Sequence, residues 1–339
     1  MTIPLSILDL APIVEGSDAT EALRNTLDLA QHAETWGYRR YWVAEHHNMD
    51  GVASSATSVI IGYVAGGTKT IRVGSGGVML PNHAPLVIAE QFGTLATLYP
   101  GRIDLGLGRA PGTDRMTMQA LRRTLSSNDE DGFPQDVMEL KAYLDTPDPR
   151  QSVRAIPGRG TKVPIWLLGS SLYSAQLAGY LGLPFAFASH FAPELLLQAV
   201  DAYRVTFRPS ETLDKPHVMV GVNAVVADTE EEAAFHFTSL QLRFLGMHRG
   251  RRGPLPRPIQ PAELKAMWDP HERMGVERML VASAHGAPAT AAKKLQAIID
   301  HTKADELIVA CALHSHTARL RSYELLAKLD ITTSARSPA

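Results

Sequence analysis

The feature of this sequence that most restricts its fold is a regular alternation between short apolar segments and longer segments with helical periodicity. β-Branched or apolar runs predict eight strands, and the longer segments predict eight helices. The predicted strands cover residues 5–10, 41–45, 71–75, 103–107, 164–168, 184–189, 217–227 and 306–311. The predicted helices cover residues 19–36, 54–65, 85–98, 173–181, 193–207, 229–245, 287–302 and 317–329. This alternation favours a parallel sheet whose strands are buried on both faces.

Eight strand–helix units favour a closed (β/α)8 barrel, a TIM barrel, over an open doubly wound sheet. The open sheet usually carries a glycine fingerprint after its first strand, and none stands there; the glycine-rich stretch 106–112 follows the fourth strand and has Pro111 at the third glycine position. We therefore predict one α/β barrel domain over residues 1–330. Insertions are expected at about 126–162, after strand four, and at 246–261, after strand seven. The second insertion is interpreted as either an ordered excursion or a mobile lid, and residues 331–339 as a frayed tail.

The charge balance and the cysteine content exclude several classes of function. The 339 residues include 33 basic and 35 acidic side chains, so a net charge of −2 gives no electrostatic case for binding nucleic acid or a membrane surface. Cys311 is the single cysteine, which excludes an intrachain disulfide. The first ten residues do not resemble a signal peptide, and no apolar run reaches membrane-spanning length. These features predict a cytoplasmic globular protein.

A barrel of this type carries its active site at the carboxyl ends of its strands. Ser170, Ser171 and Ser174 follow the fifth strand where a helix should begin, so their hydroxyls and the free N–H groups of that helix form a possible phosphate site. Arg109 follows the neighbouring fourth strand, and its guanidinium can bind two phosphate oxygens at once. The serines alone are more typical of an ordinary helix cap without a ligand, and it is Arg109 beside them that favours a phosphate site.

Gly76 and Gly77 follow the third strand and leave backbone exposed, as a flat ring stacked on the chain would require. A tight turn would also account for them. Beside a phosphate site, however, they favour a planar cofactor with a phosphorylated tail.

A Glu45-His46-His47 triplet follows the second strand. Neighbouring strand residues face opposite ways, so either Glu45 and His47 or His46 alone should point into the barrel mouth. A neutral histidine there would serve as a general acid or base, or as a hydrogen-bond partner. We expect no metal, because further ligands on other strands are not evident. His83 and His190 also stand at strand ends and are candidates of second rank.

Five stretches in register carry a resemblance to a known family: residues 37–47, 73–83, 101–109, 169–175 and 181–184. Together they resemble the luciferase-like flavin-dependent monooxygenases, which include bacterial luciferase. The resemblance runs from Ile3 to about Ala199 and continues more weakly to Leu329.

The resemblance implies a (β/α)8 barrel that binds FMN and forms a homodimer through the helices flanking strands two and three. It implies that the phosphate is held by Arg109 with the serines at 170, 171 and 174, and that Gly76 and Gly77 lie against the flavin ring. His46 corresponds to the family's catalytic histidine, with Glu45 beside it. Family members use reduced flavin and O2 to oxygenate an organic substrate, and the flavin is reduced by a partner reductase or by NAD(P)H. Residues 246–261 fall where the family carries a mobile lid.

Two positions depart from the luciferase pattern, and three alternative functions remain open. Gly108 and Ser170 stand where luciferase has a cysteine and a glutamate, so we predict no light emission. A hydride transferase that uses a deazaflavin coenzyme is one alternative, although a polyglutamate tail would want more basic residues than Arg109. A flavin-binding protein without turnover is the second. A metal-dependent hydrolase is the third and has least support. The sequence does not identify the organic substrate.

Overall fold

The computed structural model describes residues 1–110, 112–121 and 132–334, and its strands all run parallel. The strands are β1 (Leu5–Asp9), β2 (Arg40–Val43), β3 (Arg72–Met79), β4 (Ile103–Gly108), β5 (Ile165–Gly169), β6 (Phe185–Phe187), β7 (Val218–Val226), β8 (Ser283–Gly286) and β9 (Glu306–Ala310). Strands β1 to β7 follow one another around a ring, and β9 closes it between β7 and β1. This eight-stranded closed barrel confirms the predicted fold.

Helices on the outside of the barrel connect the strands. They are α1 (Ala19–Thr35), α2 (Thr57–Gly67), α3 (Pro85–Leu98), α4 (Arg115–Leu121), α5 (Phe133–Leu144), α6 (Leu172–Tyr180), α7 (Leu196–Thr206), α8 (Glu230–His248), α9 (Pro261–Met267), α10 (Pro270–Met279), α11 (Pro288–Thr302) and α12 (His316–Ala327), with a single 3-10 turn at Leu80–Asn82. Across the described ranges, none of these helices combines the length and the apolar character that a membrane crossing requires.

The barrel interior has an apolar layer and, at the amino ends of the strands, a charged one. The apolar layer is formed by Leu8, Trp42, Ala44, Trp166, Ala186, Met219 and Ile308. Below it, the buried Arg40 guanidinium lies 2.7 Å from the Asp104 carboxylate and 2.9 Å from the Glu306 carboxylate. A charge is retained in a protein interior only when it is paired in this way. The closed base leaves the carboxyl ends of the strands as the open end of the barrel.

The predicted insertion at 126–162 contains α5, which packs against α3 as an ordinary barrel helix, so much of this stretch belongs to the fourth strand–helix unit. Part of the stretch, 126–131, lies outside the described residues. β8 was not predicted. It pairs with the outer half of β7, from Asn223 to Val226, and lies outside the ring. Its sequence, Ser-Ala-His-Gly, has no β-branched residue and gives no local signal.

The segment 249–260, which follows α8, forms the second predicted insertion and is docked on the barrel. Leu255 is fully buried and exchanges backbone hydrogen bonds with the loop after β1: its N–H donates to Ile13 O at 2.8 Å, and its carbonyl accepts from Glu15 N at 3.0 Å. Of the two interpretations of this insertion, an ordered excursion or a mobile lid, the structure therefore agrees with the ordered excursion. The predicted tail begins in an ordered manner, because Ile331 is buried and accepts a hydrogen bond from the Ile3 N–H; residues 335–339 lie outside the described part.

Candidate functional site

The loop after β2 sends its side chains to two sides, as the alternation along a strand predicts. The His46 N–H donates to Ser54 O at 3.0 Å and fixes the loop. On one side, the buried Glu45 Oε1 accepts hydrogen bonds from His47 Nε2 at 3.0 Å and His83 Nε2 at 2.8 Å. Burial raises the pKa of Glu45, but the His83 and His47 hydrogen bonds outweigh it and hold this pKa below its usual value. Glu45 is thus an ionised acceptor shared by two imidazoles.

Glu45, His47 and His83 also bring their ligand atoms within 4.8 Å of one another, which is the composition and spacing of a possible metal site. The sequence prediction overlooked this set because His83 comes from a different strand end. The mutual hydrogen bonds explain the arrangement without an ion, and the absence of a metal stays a prediction.

His46 does not share these hydrogen bonds, and it lies near enough to His190, which follows β6 on the opposite wall of the barrel, to lower the pKa of that histidine. The Nδ1 atoms of both rings are buried, and neither has a hydrogen-bond partner in the described chain. Burial lowers the pKa of each histidine to about 4; for His46 the positive charge of Arg243 adds to this effect, and for His190 the neighbouring His46 does. Both imidazoles are therefore neutral at pH 7 and present a free nitrogen.

His190 owes its position to β7. Its ring packs against Gly221, where a Cβ would lie 2.7 Å from the His190 Nδ1, and its carbonyl accepts from Asn223 Nδ2 at 2.6 Å. The sequence ranked His190 second because residue spacing does not reveal that β2 and β6 face each other.

Ser171 and Ser174 form the amino end of α6, as predicted. Ser171 is the N-cap: its Oγ accepts from the Ser174 N–H at 3.3 Å, and the Ser174 hydroxyl donates to Ser171 O at 3.0 Å. Ser170 precedes them and is half-buried. The first N–H groups of any helix lack intrahelical partners, so this end attracts anions.

Arg109, at the end of the adjacent β4, is exposed, and its guanidinium lies 4.4 Å from the centre of the Tyr173 ring. Within the described ranges its N–H groups donate to no protein oxygen. The stacking on Tyr173 therefore holds the arginine beside the α6 amino end with its donors free. Sequence reasoning assigned no role to Tyr173, because an aromatic residue in a first helical turn has no specific pattern.

Gly76 and Gly77 lie inside β3, at a shift of register between Ser75 and Val78, and not beyond the strand end as predicted. Their peptide bond is cis. A Cβ on Gly77 would lie 2.7 Å from Gly106 O. Close packing within the barrel wall thus requires a glycine at 77 without any ligand, and the contact of this pair with a flavin ring stays a prediction.

Comparisons with known proteins identify the family of this chain. A family model described as luciferase-like monooxygenase matches residues 3–306. The chain is 58% identical over 324 residues to a luciferase-like monooxygenase of Escherichia coli (strain K12), with 96% of each chain covered. It is 35% identical over 331 residues to the N-acetyl-S-alkylcysteine monooxygenase of Bacillus subtilis (strain 168), covering 96% of this chain and 97% of that protein. Among solved structures, apo-MsnO8 is 36% identical with a TM-score of 0.88, over 96% of this chain and 98% of that chain.

More distant structures share the barrel alone. One is the oxygenating constituent of 3,6-diketocamphane monooxygenase from Pseudomonas putida in complex with FMN, at 17% identity and a TM-score of 0.71 over 98% of this chain and 100% of that one. Another is an F420-dependent secondary alcohol dehydrogenase, at 15% identity and a TM-score of 0.67 over 96% of this chain and 98% of that one. The family model and the three matches above 30% identity each span nearly the whole chain. This protein belongs to the luciferase-like monooxygenase family.

Proposed function

We propose that this protein is an FMN-dependent monooxygenase that uses reduced flavin and O2 to oxygenate a small organic substrate. One observation carries the proposal: an anion-binding donor set and two neutral histidines with free nitrogens occupy the same end of one barrel. The donor set suits a phosphate, and the histidines suit proton transfer.

The donors fit the phosphate of FMN. Arg109 supplies a cation whose N–H groups have no protein acceptor in the described chain, and the capped amino end of α6 supplies oriented N–H groups. We assign the phosphate to Arg109 and to Ser170, Ser171 and Ser174. The flavin ring is assigned to the wall formed by residues 76 and 77. A deazaflavin coenzyme is the alternative cofactor, since barrels of this fold include F420-dependent enzymes.

Bound reduced FMN supplies the two electrons with which O2 delivers one oxygen atom to the substrate and leaves the other as water. Because the pKa of His46 is about 4, its ring is unprotonated at neutral pH and accepts a hydrogen bond or a proton at Nδ1. The docked segment 249–260 covers the loops after β1 and β2 and keeps water from this region.

Glu45, which the sequence suggested as a catalytic residue, is assigned a positioning role. Its carboxylate is occupied by His47 and His83, on the side of the loop away from His190. It thereby holds the backbone that carries His46.

We further propose a homodimer formed through α2 and α3. The described part of α2 has no charged residue, and Val59 and Tyr63 form an exposed apolar pair one turn apart on it. On α3, Val87 and Leu98 are also exposed. Apolar patches of this kind are typical of protein–protein contacts. A separate flavin reductase is the proposed source of reduced FMN.

The function is tested by anaerobic titration with photoreduced FMN and, in parallel, with a reduced deazaflavin coenzyme, followed by isotopically labelled O2. N-acetyl-S-alkylcysteines are the first substrates to try, because the Bacillus subtilis relative is named for them. Tight FMN binding with one labelled oxygen in the product is expected. Binding of the deazaflavin coenzyme alone would replace oxygenation by hydride transfer. FMN binding without a product from any substrate would favour a flavin-storing protein.

A further inference from the structure

Arg243, in α8, is a half-buried cation without a counterion. Burial alone lowers the pKa of its guanidinium, and within the ranges 1–110, 112–121 and 132–334 it forms no hydrogen bond and no ion pair. The next two residues along the helix, Phe244 and Leu245, are buried and fix this part of α8 against the barrel. The described residues thus hold a partly desolvated positive charge that they do not neutralise.

Two buried arginines of this molecule differ from Arg243 because each has a carboxylate partner. Arg40 lies between two carboxylates, and Arg319 Nη2 lies 2.6 Å from the Asp9 carboxylate. Burying an unpaired charge is costly, so such a group is retained only where something binds to it. The contrast indicates that the partner of Arg243 is a ligand.

The position of Arg243 identifies which ligand. The end of α8 lies at the barrel mouth, because the segment that follows it is hydrogen-bonded to the loop after β1, and the positive charge of Arg243 lowers the pKa of His46 there. Glu45, which precedes His46 in the chain, is already occupied by two imidazoles. The phosphate donors, by contrast, are at the ends of β4 and β5, whereas α8 follows β7. The mouth therefore has two separate cationic positions.

We propose that Arg243 binds the carboxylate of the organic substrate, so that the substrate class is organic acids and Arg243 is the residue that selects them. The assignment of this anion to a substrate rests on the proposed function. The anion site itself does not, because a carboxylate can be tested on the protein without flavin.

The test compares benzoate, hexanoate and methylthioacetate with their uncharged carboxamides in ligand-observed NMR titrations of the flavin-free and FMN-loaded protein. The variants are Arg243→Gln, Arg243→Lys and, as a control, Arg24→Gln, which removes an exposed arginine of α1. Wild type and the Arg24 variant should prefer a carboxylate over its amide by roughly 10- to 100-fold, the range for a hydrogen bond to a charged group. Arg243→Gln should abolish that preference and leave the FMN affinity unchanged, and Arg243→Lys should keep part of it.

Equal binding of acid and amide to wild type, or no binding of any acid, would overturn the proposal, and so would a preference that survives in Arg243→Gln. If Arg243→Gln instead weakens FMN binding, the arginine serves the cofactor and the substrate assignment is wrong. Failure of FMN to bind wild type would refute the proposed function and leave the acid–amide comparison on the flavin-free protein intact. A further variant, Arg243→Met, tests whether the arginine has a partner within the protein. Its melting temperature should equal or exceed that of wild type. A value well below that of wild type would reveal a protein partner and contradict the proposal.

Discussion

Replacing Arg109 by alanine should weaken FMN binding without destabilising the fold. In the described chain the guanidinium stacks on the Tyr173 ring at 4.4 Å and donates to no protein oxygen that its removal would leave unpaired. An exposed stacking contact of this kind contributes about 0.5–1 kcal/mol. A hydrogen bond between a guanidinium and a phosphate contributes about 1.5–3 kcal/mol. The affinity for FMN should therefore fall roughly 10- to 150-fold. The free energy of unfolding should change by no more than the stacking contribution, about 1 kcal/mol.

The chain offers a matched control. Arg208 lies 4.9 Å from the Tyr180 ring, which is the last residue of the same helix α6, so Arg208→Ala loses an equivalent contact at the opposite end. Flavin fluorescence titrations with FMN and with riboflavin, which lacks the phosphate, measure the effect. Only Arg109→Ala should lose FMN affinity, and its affinity for riboflavin should match that of wild type. If FMN and riboflavin affinities fall equally, Arg109 does not bind the phosphate.

Three further outcomes follow from the structure. Burial lowers the pKa of His46 and His190 to about 4 from the 6.5 of an exposed histidine, so the unfolded chain binds protons that the folded chain does not. The free energy of unfolding should then decrease as the pH falls from 6.5 towards 4 and be level above 6.5; urea unfolding of wild type and a His46→Asn/His190→Asn variant checks this, and equal slopes would contradict it. Arg40→Met removes the cation shared by two buried carboxylates, of which only Asp104 keeps a close arginine partner, Arg72, and should cost about 3–5 kcal/mol; a wild-type urea midpoint would show that the base of the barrel is not held by this ion pair. Val59→Asp should convert the proposed dimer to a monomer in gel filtration, whereas Val205→Asp, at a still more exposed position on α7, should not; a dimer that withstands Val59→Asp would move the interface elsewhere.

The barrel could be predicted because short stretches of sequence are enough to indicate its strands and helix caps. Each barrel strand was recognised from its own apolar run, and each cap, such as Ser171 at α6, from a short polar pattern before a helix. β8 was missed because its four residues gain their order from pairing with the end of β7 that extends past β9, and not from any preference of their own.

Only part of the candidate site could be predicted from the sequence in the same way. Arg109 and Ser171 were predicted to come together because consecutive parallel strands place their ends side by side, and the structure places them at neighbouring strand ends. That the loop carrying His46 faces the loop carrying His190 follows from closure of the ring, which brings β2 opposite β6. That Arg243 has no counterion among the described residues depends on every group packed around it, and residue spacing along the chain does not reveal such an absence.

By itself, then, the sequence determined the eight ring strands, most of the helices, the barrel they form and the family, because propensity and periodicity act over a few residues. β8 and the helices α4, α5, α9 and α10 were not predicted. Only the tertiary structure decided which polar atoms are buried and which remain unpaired. Desolvation and charge pairing depend on groups that lie far apart in the chain, and these two effects set the pKa values and the free donors on which the proposed chemistry depends.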